Sequence, residues 1–169
     1  MNWLDHISSL SNPFELASLY ATHVFGDRMQ IVFIDAILIL ALHGYYILLL
    51  TRLFKRLVAD TALSKSLRAS FLSYFVAIVL VVIAHCNDIF FLALVLDSLK
   101  VFPDPMATFY YVSGMYTTIG STVTPAPQWQ GLSMIISFTG LFAFSISGAG
   151  LYSMLGFFLA PNKNANTDS

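Results

Sequence analysis

The stretch that decides the fold reads Pro103-Asp104-Pro105-Met106-Ala107-Thr108-Phe109-Tyr110-Tyr111-Val112-Ser113-Gly114-Met115-Tyr116-Thr117-Thr118-Ile119-Gly120-Ser121-Thr122-Val123-Thr124-Pro125-Ala126-Pro127. Asp104 is a good N-cap, and Pro105 suits the first position of a helix. A helix from Pro105 to about Tyr116 is only ~18 Å long, against ~30 Å of bilayer hydrocarbon, so it cannot cross. The residues that follow carry too many hydroxyls, β-branched side chains and glycine for a lipid-facing helix. Extended backbone at membrane depth is tolerated only where protein buries it or a water-filled cavity exposes it.

The flanks are built for lipid. The chain is 57% hydrophobic and 10% charged, where a soluble domain carries about 25% charge. Spans are expected at about Met29 to Leu50 (29–52 with its polar end), Ala69 to Leu96 and Gly131 to Ala160. Apart from Arg52 at the polar end of the first, Asp35 and Asp88 are the only formal charges in them. Five of the eight basic residues (Arg52, Lys55, Arg56, Lys65 and Arg68) fall in a loop from Thr51 to Arg68, opposed by Asp60. The positive-inside rule places that loop in the cytoplasm. The N-terminus and the 97–130 segment then lie outside, and the tail at 161–169 inside.

Residues 1–28 show no cleavable signal peptide. They read as one or two helices on the membrane surface, or as a plain structural arm. The expected domain is therefore 29–160: an all-α membrane protein of three transmembrane helices with a re-entrant half-helix (105–116) and an extended return (118–122). Net charge is −1, and no basic stripe points to nucleic acid. The single Cys86 rules out an intrachain disulfide. No nucleophile–base set, phosphate loop or metal motif marks an enzyme.

The run from Phe109 to Gly120 resembles the pore helix and inner filter of potassium-channel-type proteins, where aromatics precede Thr-Thr-Val-Gly-Tyr-Gly-Asp. Gln128-Trp129-Gln130-Gly131 sits where such channels carry a tryptophan and glycine before the inner helix. The resemblance covers residues 69–160 and leaves the first span outside the minimal two-span plan, as in some small bacterial channel-like proteins. It implies a homotetrameric cation pore in a prokaryotic inner or plasma membrane, passing K or Na ions with no bound cofactor. Four copies of Thr118, Ile119, Gly120, Ser121 and Thr122 would line its filter with carbonyls. Ser121 replaces the family's tyrosine and Thr122 its second glycine, so weak potassium selectivity is expected. No arginine ladder marks a voltage sensor, and residues 161–169 are too few for a soluble ligand-binding domain.

Small residues on the last span, such as Ser145/Ala149/Ser153, have the spacing that lets helices approach closely. Asp35, His43, His85, Asn87 and Asp88 interrupt the apolar spans. His85 and Asp88, three apart, share a helix face. With Asp35 they form an expected outer-leaflet cluster that responds to pH, binds a divalent metal, or serves as a hydrogen-bonded strut between helices. His43 is expected deeper, bonded to a carbonyl. Two further functions stand as alternatives: a non-conducting channel-like subunit, and an intramembrane haem protein with His43 and His85 as axial ligands.

Overall fold

The structure, a computed structural model, describes residues 12–24, 26–60 and 67–159. The elements are α1 (Pro13–Val24), α2 (Asp27–Asp60), α3 (Leu67–Ser98), α4 (Pro105–Tyr116), a 3-10 turn (Pro127–Trp129) and α5 (Leu132–Leu159). No strand occurs among the described residues. Among the described residues three segments are long and apolar enough to cross a membrane: Arg28–Val58, Phe71–Ser98 and Pro127–Gly156. α1 leaves Phe14, Leu19 and Tyr20 exposed. Residues 1–11 and the tail at 161–169 lie outside the described residues.

The basic stretch expected as a loop is largely helical. α2 runs 34 residues to Asp60, about 51 Å at the usual rise, carrying Arg52, Lys55 and Arg56 on its last turns. Leucine, arginine and lysine are strong helix formers, and Thr51–Asp60 contains neither glycine nor proline to stop the helix.

α2 lies antiparallel to α3, with the Phe54 and Tyr74 rings in edge contact at 6.5 Å and the Tyr46 hydroxyl 3.4 Å from the Leu80 carbonyl. It runs parallel to α5, where Ile47 meets Gly150 and Lys55 Nζ donates to Ser153 Oγ at 2.9 Å. α5 is the most extensive partner of α2. The first span, outside the two-span plan by sequence, is thus the main support of the last one.

Inside the chain α5 packs through a row beside Ser145 and Ala149. Ile136, Gly140, Ala143, Ser147 and Met154 are buried, at alternating spacings of four and three with half-buried Gly150 between. Ser145 and Ala149 are exposed. Gly140 and Gly150 decide this: a β-carbon on Gly140 would collide with the Tyr116 carbonyl, and one on Gly150 with Ile47. Within lipid, such close approach contributes through dispersion and hydrogen bonding rather than release of water. α4 packs between α3 and α5, burying Tyr111, Val112 and Tyr116 in a core shared with Leu92, Leu96, Trp129, Leu132 and Ile136.

Candidate functional site

α4 starts where its sequence dictates. The Asp104 carboxylate accepts from the amides of Met106 and Ala107 at 3.2 Å each, satisfying two of the donors that a helix start leaves free. Its far end is held by α5. Ser137 Oγ donates to the Met115 carbonyl at 3.0 Å, and Gly140 lies against the Tyr116 carbonyl.

Beyond Tyr116 the chain leaves the helix abruptly. Thr118 has φ +59° and Gly120 φ +92°. Glycine adopts such angles freely, but a β-branched residue there stores about 1–3 kcal/mol. The Gly120 amide donates back to the Gly114 carbonyl at 3.0 Å, and a β-carbon on Gly114 would strike the Gly120 carbonyl. This fold-back turns the expected filter residues outward. Thr118, Ile119, Gly120 and Thr122 are exposed, Ile119 to 85%, while Ser121 is half-buried and accepts from the Val123 amide at 3.1 Å. Thr122 is not left-handed, whereas Thr118 is. The segment is anchored at its exit by buried Trp129.

Behind this segment lies a buried polar cluster drawn from four helices. The Tyr116 hydroxyl, at the end of α4, donates to Asp88 Oδ2 at 2.7 Å. With that proton committed, the 3.0 Å contact between Tyr116 O and His85 Nδ1 requires His85 to donate. His43 on α2 places Nε2 2.8 Å from Ser147 Oγ on α5 and Nδ1 2.7 Å from Asp88 Oδ2. The latter is close in distance but lacks hydrogen-bond alignment. His85 also stacks on Phe144, with ring centroids 4.2 Å apart.

His85 and Asp88 therefore meet as their spacing implies, bridged by Tyr116. Two expectations are corrected. His43 joins the cluster and bonds a hydroxyl rather than a carbonyl, while Asp35 stands apart from it. The antiparallel register of α2 and α3 sets both outcomes: it levels His43 with Asp88, and Asp35 is eight residues away, about 12 Å along the axis. Asp35 instead lines a cavity of about 540 Å³ between α2 and α3, together with His43, Asn87 and Asp88. Its Oδ2 is buried without a partner. Tyr116, Ser147 and Phe144 were not identifiable from sequence, since only tertiary packing brings them to the histidines.

Comparison of the chain with protein-family models, curated proteins and solved structures finds no match.

Proposed function

We propose that this chain is the pore-forming subunit of a homotetrameric cation channel, passing potassium and sodium with weak preference between them. The observation that carries the reading is the fold-back after a half-length helix. α4 stops at Tyr116, between two helices of spanning length, and the next residues present Thr118, Ile119 and Gly120 to the outside of the chain. In this reading α4 re-enters from the outer face, and four such segments meet on an axis. Their carbonyls replace part of a cation's hydration shell. The negative ends of the four helix dipoles favour a cation below them.

Thr122 where the resembled filter has its second glycine favours a short filter, with coordination resting on Thr118 and Ile119. Each tenfold of preference for one ion needs about 1.4 kcal/mol of differential binding, which a partly hydrated ion in a short filter does not readily provide. The test is the reversal potential under potassium and sodium gradients, in bilayers containing only this protein. Currents that move with both gradients support the proposal. Silence in the presence of intact tetramers favours the non-conducting alternative. The haem alternative has little support: the His43 and His85 rings stand 4.8 Å apart, closer than two ligands on opposite faces of a haem plane.

A further inference from the structure

We propose that His43, His85 and Asp88 form a binding site for one first-row divalent cation of the zinc type, inside each chain and behind the filter-like segment. Each residue offers one ligand atom, and the three atoms lie within 4.8 Å of one another. All three residues are more than nine-tenths buried. A site at the usual metal–nitrogen distance of about 2.0–2.1 Å needs only a modest inward movement of these side chains.

The hydrogen bonding around His85 leaves one donor atom free. Because Tyr116 gives its proton to Asp88, His85 donates from Nδ1 and keeps a lone pair on Nε2. That atom is buried with no partner. A buried polar atom left unpaired costs about 1–3 kcal/mol, and a cation removes the deficit. On the other side the tautomer of His43 decides. When His43 donates from Nε2 to Ser147, its Nδ1 lone pair faces Asp88 Oδ2 at 2.7 Å. Two acceptors at that distance repel unless a positive charge sits beside them. Tyr116 and Ser147 thus act as the outer partners that orient metal-binding histidines.

The donor set selects the ion. Two imidazoles and one carboxylate suit zinc, cobalt, nickel or ferrous iron better than calcium or magnesium, which prefer all-oxygen ligands. Three protein ligands leave a position open for solvent or a hydroxyl. The cavity between α2 and α3 reaches His43 and Asp88, and Asp35, whose Oδ2 is buried without a partner, stands on its wall.

The experiment uses the full chain without an affinity tag, stripped with a chelator in detergent, with Cys86, His6 and His23 replaced to remove other ligands. Titration with Co2+ is expected to give one equivalent per chain with visible bands of a low-symmetry site, displaced by Zn2+. His85→Gln and Asp88→Asn should each weaken binding by about tenfold or more. Zn2+ should raise the Tm of the parent protein but not of these variants. Absence of Co2+ binding, or binding that survives both substitutions, overturns the proposal and leaves a hydrogen-bonded strut. If the variants fail to fold, the parent decides: no Tm shift at saturating Zn2+ overturns it. None of these readouts depends on ion conduction.

Discussion

The Tyr116 hydroxyl and the Asp88 carboxylate, 28 residues apart in sequence, meet at 2.7 Å in the interior. Tyr116 is the last residue of α4, so this bond ties the start of the filter-like segment to α3. His43, which is bonded to Ser147, lies with its Nδ1 2.7 Å from the same carboxylate, so α2 and α5 adjoin it. The Tyr116–Asp88 bond and the contacts of Ser137 and Gly140 from α5 together hold the end of the half-helix.

Tyr116→Phe tests that link. It removes the donor to Asp88 and the acceptor of His85, leaving two buried groups short of a partner. A loss of about 1–3 kcal/mol is expected, read as a lowered Tm in detergent with far-ultraviolet dichroism unchanged. A Tm equal to the parent's would mean that the bond contributes nothing.

Glycines on α5 should differ sharply. Gly140→Ala drives a methyl into the Tyr116 backbone, whereas Gly148 has nothing within 4 Å of its added β-carbon. The first change should cost about 1–3 kcal/mol or more. The second should be neutral or stabilising by up to about 1 kcal/mol through helix propensity. Equal melting temperatures for the two variants would contradict the packing of α5 on α4.

If four chains surround one axis, Ile119→Cys places thiols around the pore mouth. In a Cys86→Ser background, oxidation should give disulfide-linked dimers within a particle of tetrameric mass, in detergent and in lipid. A monomer or dimer in both media sinks the tetramer proposal.

Orientation follows from the basic residues between the first two spans. Single cysteines at Ser8 and Ser64, positions outside the described residues, should react differently with an impermeant thiol reagent on intact cells. Residue 8 should label and residue 64 should not. Labelling of residue 64 would invert the topology.

Selectivity tests the proposed pore through the two positions where the sequence departs from the filter it resembles. The unaltered protein should carry both potassium and sodium, and Ser121→Tyr with Thr122→Gly should raise the preference for potassium. A hundredfold exclusion of sodium by the unaltered protein would refute the short-filter reading.

The sequence alone determined that three of the described segments are long and apolar enough to cross a membrane, because length and scarcity of charge are read directly from it. It also determined where α4 begins: a carboxylate followed by proline satisfies free amides with local contacts only, and Asp104 does so here. The extent of α2 through Thr51–Asp60 was legible in principle, since helix propensity is local, but its charges read as a loop. Other features had no local signal. That α5 seats Gly140 and Gly150 rather than Ser145 and Ala149 depends on which neighbour needs the space, Tyr116 or Ile47. That His43 rather than Asp35 meets Asp88 depends on the axial register of two helices, and a shift of one turn would exchange their surroundings. Periodicity names the face of a helix, but only packing against a particular partner sets its height, and buried polar groups find one another by height.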